Sequence, residues 1–301
     1  MSTGASSRGG TREGTMSKRP ARGGTIAARH LADFARRLGA DTALLALGGE
    51  ASGDDRSPRL AEALPWMEAL HDALVRGSDE ASAGAGPSSC LTARTADDEL
   101  IPGHRHATLI PLVIDEKRDR VDHMLVHAPM GFDGPAVGAL MRVRRLWAKE
   151  LPDLDVALVG LGRREDFRET VAQLGVSTVW TSVTPFVPSR FMKPRGVNSL
   201  EGQVQAELSS RGLPAAASVE VELEGGQYVA AEEFWGRWSA AEDAGFARRW
   251  RRWRMERMDS GKRPPIVAGF GLRLRFEPAV EGPVALGYAA HFGLGGFRVG
   301  E

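Results

Sequence analysis

Short apolar segments typical of β-strands alternate with amphipathic segments typical of helices, and this alternation constrains the fold more than any other feature. Strands are predicted at 106–114, 121–129, 154–162, 176–188 and 218–224, followed near the C-terminus by two strands and a glycine-rich loop. Helices are predicted at 135–150, opened by Pro135, at 199–213, capped by Ser199, and from about Ala230 to Met258. The long crossovers of a doubly wound sheet are missing. We therefore predict an α+β fold with antiparallel sheets, built as two tandem ferredoxin-like (RRM-like) βαββαβ halves.

The 301 residues suffice for one large or two small packed domains. Residues 1–24, rich in Gly, Ser and Arg, are predicted to form a disordered basic tail. Residues 25–98 are predicted to form a helical N-terminal segment that ends in a small, polar linker. The first ferredoxin-like half is placed at 99–225, and the second, with a basic helix and a glycine-rich loop, at 226–301.

Composition excludes several classes of protein. The formal net charge is +0, so any binding to nucleic acid must come from local clusters of arginine. A single cysteine, Cys90, excludes a disulfide framework and a thiolate zinc site. No run of about 18 apolar residues is present, so no membrane span is expected and a cytoplasmic location is predicted.

Three segments together resemble a known family: GHRHATLIPL at 103–112, VSTVWTSVTPFVP at 176–188 and GPVALGYAAHFGLGGF at 282–297. Their order and spacing, with VDHMLVHAPMGFD at 121–133, are similar to the fused Cas subunit of subtype I-G (I-U) CRISPR systems, a member of the RAMP superfamily. The resemblance covers roughly residues 60–301 and the C-terminal half of that family, a repeat-RNA-processing endoribonuclease. The chain departs from the family at Gly296, which replaces a bulky residue, and in lacking the family's N-terminal RNA-capping half.

The resemblance implies binding and metal-independent cleavage of CRISPR repeat RNA to make guide RNA, without a cofactor. Repeat or guide RNA is the expected partner, and other CRISPR effector subunits are further candidates. DNA on its own and membranes are not expected partners. The alternative is a non-catalytic guide-RNA-binding subunit of an effector complex. In the broader superfamily the glycine-rich loop binds RNA, so His291, Gly293 and Gly295 are expected to contact it.

Histidines are the residues best suited to the implied chemistry. The ribose 2′-hydroxyl attacks the adjacent phosphate, and an imidazole can take one proton and supply another near neutral pH. His104 and His106 precede a predicted strand and, being two residues apart, are predicted to share a face. His123 follows Asp122 on the next strand, and His127 lies on the same face as His123. This face is expected to lie near His106. We predict His104, His106 and His123 as catalytic residues, against the alternative that each bonds only to backbone.

Two basic regions are candidate RNA-binding surfaces. Eight Lys or Arg residues lie between positions 245 and 263, with Trp250 and Trp253 interleaved. On a helix the tryptophans would face the core beside Phe246, and the arginines would contact phosphates or only solvent. We predict RNA contacts from Arg248, Arg249, Arg251 and Arg252, and from a second basic loop that contains Arg190, Lys193 and Arg195.

Two other interpretations start from the same residues. His104, His106, Asp122 and His123 have the residue types of a metal site, although their spacing is not a specific signature and no metal is predicted. The sequence His106-Ala107-Thr108 suggests a phosphoesterase acting on 2′,3′-cyclic nucleotides. That fold needs a second His-x-Thr/Ser motif, which the sequence lacks.

Overall fold

A computed structural model describes residues 26–48, 57–115, 120–148, 151–240, 248–258 and 263–300. It contains two five-stranded antiparallel sheets with helices, which confirms the α+β class. We call the part built on each sheet a lobe. The predicted tail, residues 1–24, lies outside the described residues.

The first sheet has the strand order β2-β3-β1-β5-β4, and every neighbouring pair is antiparallel. Its strands are β1 (Thr42–Leu47), β2 (Thr108–Leu112), β3 (His123–His127), β4 (Arg145–Ala148) and β5 (Leu151–Gly162). The helices of this lobe are α1 (Ile26–Leu38), α2 (Leu64–Ala81), the short α3 (Ser89–Thr92) and α4 (Gly134–Arg142). Asp133 caps α4 by accepting a hydrogen bond from the Ala136 amide, and Pro135 lies in its first turn.

The core of the first lobe lies between this sheet and two of its helices. Met67, Leu70 and Leu74 of α2 are completely buried, as is Leu140 of α4, and they belong to one apolar cluster with Leu45 of β1. The apolar run of β1 is the reason for its central position, because a strand with neighbours on both sides has little access to water.

The second sheet has the order β10-β6-β9-β7-β8, and its neighbouring strands are also antiparallel. It consists of β6 (Val176–Ser182), β7 (Ser218–Glu222), β8 (Tyr228–Ala230), β9 (Leu272–Glu281) and β10 (Phe297–Val299). The helices α5 (Leu200–Ser210) and α6 (Ala231–Ala240) accompany it. As predicted, Ser199 caps α5 through its side chain, which accepts from the Gly202 amide.

A loop of the second lobe, residues 283–296, docks on the first lobe. Strand β2 is an edge strand, and its Leu109 amide donates to the His291 carbonyl at 3.0 Å. Leu109 and Phe292 form a parallel bridge at this point. Leu294 joins a small cluster of buried apolar side chains with Leu64 of the first lobe. The loop therefore covers an edge that would otherwise expose unpaired backbone groups.

The strands group differently from the predicted segments. The segment 25–98 supplies β1, the central strand of the first sheet, whereas β6 and β7, placed in the first half, belong to the second sheet. This grouping depends on pairing between distant strands, which local patterns do not specify.

Two predicted helices end early. The helix opened by Pro135 ends at Arg142, and residues 145–148 instead pair with β5. The predicted helix from about Ala230 to Met258 is also wrong: α6 ends at Ala240, and residues 248–252 form a 3-10 helix. Phe246 lies outside the described residues. No helix in the described ranges is both long and apolar enough to cross a membrane.

Candidate functional site

Three histidines from the two lobes meet at the docked loop. The His104 and His291 rings are stacked with centroids 5.2 Å apart, and the His106 ring lies 3.9 Å from that of His291. His104 and His106 precede β2, whereas His291 lies in the loop 283–296, 187 residues after His104. The structure thus brings together two of the three predicted catalytic residues and one predicted RNA contact.

The turn before β2 has an unusual backbone conformation. Gly103 and His104 have φ angles of 82° and 50°, so two consecutive residues lie in the left-handed region. Glycine adopts this conformation without strain, but histidine pays a cost of about 1 kcal/mol or more. Such strain is typical of functional sites, where the surrounding structure holds a side chain in one position.

Hydrogen bonds orient the two stacked rings. His291 Nδ1 lies 3.2 Å from the Ala107 carbonyl oxygen, which can only accept, and 3.1 Å from Thr108 Oγ1, which can also accept, so we assign the proton to Nδ1. His291 Nε2 is then an acceptor, and His104 Nδ1 donates to it at 3.0 Å. This tautomer leaves His104 Nε2 with a free lone pair, as a general base requires.

A cavity of about 290 Å³ lies between the lobes beside these rings. Its lining contains His104, His291, Thr108 and, on the side of β3, His127. Three arginines, Arg105, Arg164 and Arg211, and two carboxylates, Asp41 and Glu281, complete the charged part of the lining. Arg211, just after α5, donates to Glu207 at 2.5 Å, and Arg164 is paired with Glu281. No partner is found for the exposed side chain of Arg105 among the described residues. The walls therefore combine imidazoles with guanidinium groups, the residue types that bind and cleave phosphodiesters.

His127 has a chain of polar partners behind it. Its Nδ1 lies 2.9 Å from Thr42 Oγ1, and the Thr42 hydroxyl donates to Asp41 Oδ1 at 2.8 Å. Because that hydroxyl proton goes to Asp41, Thr42 accepts from His127 Nδ1–H. His127 is only 4% exposed, and it lines the cavity.

Burial keeps these imidazoles neutral. It is the main cause that lowers the pKa of His104, with Arg211 adding to it and Glu207 opposing it. Burial first, and then His104, lowers the pKa of His106 to about 4. For His291, burial and then His106 lower the pKa to about 3. For His127, burial lowers the pKa to about 4 against an opposing effect of Asp41.

His123 does not belong to the site, so the prediction is wrong for this residue, although His127 on the same strand face lines the cavity. In the β2–β3 pairing His123 is opposite Leu112, whereas His127 is opposite Thr108, the end next to the cavity. His123 Nδ1 pairs with Asp122 at 2.8 Å, and Asp122 accepts from the Ile114 amide. The hairpin itself is confirmed, but its register places His123 at the far end.

The same register separates the residues of the metal interpretation, because Asp122 and His123 lie away from His104 and His106. In the described ranges, no three or more His, Cys, Asp or Glu side chains are arranged to hold a metal ion.

Gly293 and Gly295 pack inside the protein and do not form a surface that RNA could contact. Both are buried, with φ angles of 88° and 61°. A Cβ atom at Gly293 would lie 2.6 Å from Pro111 Cδ, and one at Gly295 would lie 1.8 Å from the Leu286 carbonyl oxygen. These glycines let the loop fold tightly against β2, and only His291 of the three predicted loop contacts faces the cavity.

The arginine-rich 3-10 helix is tied to the second sheet. Arg249 Nη2 donates to Glu222 Oε2 at 2.5 Å and stacks over the Trp250 ring, whose indole N–H also donates to Glu222. This anchoring explains why the segment does not continue as a long helix, since tertiary contacts override local propensity. Arg251 and Arg252 are exposed, whereas the side chain of Arg248 lies outside the described residues. The loop that contains Arg190, Lys193 and Arg195 is exposed.

Sequence reasoning missed His127, Arg164 and Arg211 as site residues. His127 shares a strand face with His123, and this periodicity was the only signal for it. Arg211 and Arg164 belong to no motif, because they reach the cavity only through the packing of the two lobes.

No protein-family model matches the chain, and no curated protein matches it significantly.

Proposed function

We propose that this protein is an endoribonuclease that cleaves CRISPR repeat RNA by metal-independent attack of a ribose 2′-hydroxyl on the adjacent phosphate. The observation that carries the proposal is the hydrogen-bonded pair of His104 and His291 in a cavity whose lining includes three arginines against two carboxylates. Guide RNA would be the product, and other effector subunits would be its further partners.

The cavity supplies a group for each part of the reaction. His104 Nε2 takes the proton of the 2′-hydroxyl, the 2′ oxygen bonds to phosphorus, and the bond from phosphorus to the 5′ oxygen breaks. Arg211 and Arg105 are placed to stabilise the charge that builds on the equatorial oxygens. The products are a 2′,3′-cyclic phosphate and a 5′-hydroxyl.

The departing 5′ oxygen needs a proton, and His127 lines the cavity apart from the hydrogen-bonded pair of His104 and His291. Burial lowers its pKa in the free protein. A bound phosphate favours the protonated form, because a nearby negative charge raises the pKa of an imidazole. His127 can then act as the acid while His104 acts as the base.

The arrangement of the lobes supports the family resemblance. In the first lobe the order β2-β3-β1-β5 is that of a βαββαβ ferredoxin-like unit, with β4 added at the edge. In the second lobe, β7, β9, β6 and β10 follow the same order, with the loop 283–296 in place of the second helix. We infer two ferredoxin-like units on this basis. The motifs 103–112 and 282–297, which carry the resemblance, are also the segments that supply the three clustered histidines.

The second candidate function is a guide-RNA-binding subunit without catalytic activity. It is favoured by the exposed cations outside the cavity, at Arg190, Lys193, Arg195 and Arg252, because they would hold RNA whether or not it is cut.

A cleavage assay with the repeat RNA of the CRISPR array nearest the gene separates the two functions. With chelator present, we expect cleavage at one position and a 2′,3′-cyclic phosphate end. A deoxyribose 5′ to the cut should abolish cleavage and leave binding intact. Binding without cleavage of the all-ribose RNA would favour the non-catalytic subunit, and cleavage of the deoxy-substituted RNA would eliminate the proposed mechanism.

A further inference from the structure

An exposed aromatic ring lies among exposed cations in the loop of residues 189–198. Phe191 is 70% exposed, far more than is usual for a phenylalanine side chain. Arg190, Lys193 and Arg195 are exposed around it, and none of the three forms an ion pair with a described residue. An exposed ring surrounded by cations is the composition of surfaces that bind single-stranded nucleic acid.

A buried side chain holds this loop in one conformation. Gln203 of α5 is only 2% exposed, and its Oε1 accepts from the Arg190 amide at 3.0 Å. Its Nε2 donates to the carbonyl oxygens of Arg190 and Asn198, at 3.2 and 3.3 Å. The Lys193 amide also donates to the Asn198 carbonyl at 2.9 Å. The exposed ring is therefore presented by a preorganised loop, which reduces the entropy lost on binding.

The loop is connected to the wall of the cavity. Ser189 donates to Glu207 at 3.5 Å, and Glu207 accepts from Arg211, which lines the cavity. Glu207 also accepts from the Gly287 amide at 3.1 Å, so the same carboxylate ties the start of the basic loop to the loop that carries His291. An RNA strand that leaves the cavity past Arg211 would therefore reach the basic loop next.

The charge distribution indicates where the RNA backbone lies. A groove of about 890 Å³ separates the loop from the start of α6. Lys193 and Arg195 line it on the loop side, Glu232 and Glu233 on the side of α6, and Glu201 at the start of α5. The three carboxylates repel phosphates, whereas the cations of the loop attract them. The backbone is thus directed along the cations of the loop.

We infer that the loop 189–198 binds an unpaired nucleotide of the RNA, with the base stacked on Phe191 and the flanking phosphates on Arg190, Lys193 and Arg195. The inference rests on the proposed function only in taking RNA as the ligand. It adds that the substrate is single-stranded beside the cut, because a base in a duplex has no free face to stack on the ring.

The test uses the full-length protein and a single-stranded oligouridylate with 2′-O-methyl sugars and one 2-aminopurine base, which 2′-hydroxyl chemistry cannot cut. Wild-type protein should quench the 2-aminopurine fluorescence. Phe191→Ala should abolish the quenching and weaken binding about tenfold, since stacking on an aromatic side chain accounts for most of such an effect. Phe191→Trp should retain both the quenching and the wild-type affinity. Arg195→Ala should lower the slope of log K against log salt by about 0.7, the value for one phosphate of a single strand.

A matched control is Phe34→Ala, which removes a phenylalanine of α1 that is 56% exposed on the first lobe and should leave binding unchanged. The inference is overturned if Phe191→Ala binds like wild type, if Phe34→Ala weakens binding equally, or if wild type fails to bind the probe. Cleavage of repeat RNA is measured separately. Phe191-dependent binding without cleavage would overturn the proposed function and support this inference, and cleavage with Phe191-independent binding would do the reverse.

Discussion

Replacing His291 by phenylalanine tests whether His104 and His291 act as one unit. Phenylalanine keeps a flat ring next to His106, but it removes the acceptor for His104 Nδ1 and the donor to Ala107. A hydrogen bond between neutral groups contributes about 0.5–1.5 kcal/mol net, which corresponds to a rate about 2- to 13-fold lower if the bond only orients the base. Removing the proposed base, in His104→Ala, should lower the cleavage rate about 100- to 10,000-fold.

The double variant provides the sharper comparison. A residue that acts only by orienting His104 has nothing left to orient once His104 is alanine. The variant with both His104→Ala and His291→Phe should therefore cleave about as slowly as His104→Ala alone. Rates are measured in single turnover at saturating protein with chelator present. Affinity is measured separately with deoxy-substituted repeat RNA, so that weaker binding is not mistaken for slower chemistry.

His123→Gln is the matched control, because His123 lies on the same sheet but at the far end of β3. The cleavage rate of His123→Gln should lie within about threefold of the wild-type rate, as expected for a substitution away from the reacting groups. Suppose instead that the fold-reduction in cleavage rate of the double variant equals the two single fold-reductions multiplied together. In that case His104 and His291 act independently, and the proposed orientation is refuted. A loss at His123 as large as that at His104 would refute the placement of the site.

Three further predictions concern the structure around the site. The pKa of His127 is about 4 in the folded protein against an ordinary 6.5, so the unfolded chain takes up the proton first. The free energy of unfolding in urea should therefore decrease as the pH falls from 6.5 towards about 4. His127→Gln should make this dependence less steep, with the remainder coming from the other buried histidines. Gly295→Ala should cost about 2–4 kcal/mol in the same measurement, since its Cβ would overlap backbone at positive φ, whereas Gly296→Ala, with its nearest atom at 3.2 Å, should cost much less. Arg257→Ala leaves the buried Glu68 carboxylate without its cation and should cost about 3 kcal/mol, most of which Glu68→Gln in the same chain should restore.

Features specified by neighbouring residues were predictable from the sequence. The β2–β3 hairpin follows from period-two patterning, and Ser199 caps α5 because its hydroxyl reaches an amide three residues further on. The α+β class follows from the order of such segments. The early end of α4 was not predictable, since Arg145–Ala148 forms a strand only because β5 lies beside it.

Long-range contacts account for the missed part of the site. His104 and His106 could be paired from their spacing, but their contact with His291 depends on how two lobes dock across 187 residues of chain. The error at His123 has the same origin, because the alternating pattern showed that His123 and His127 share a face without showing which end of β3 lies next to the cavity. For the glycines, composition indicated close approach of a backbone, and the partner proved to be this protein's own β2 and loop rather than RNA.

The docking of the two lobes forms the site. The Leu109 amide that pairs with the His291 carbonyl covers the exposed edge of β2, and the same backbone contact holds the His291 ring over His106. Docking also buries the imidazoles, and burial is the largest cause of their lowered pKa. A neutral His104 with its lone pair directed away from His291 is therefore a consequence of the packed interface rather than of either lobe alone. It follows that a substitution that loosens this interface should reduce cleavage even where it touches no residue of the cavity.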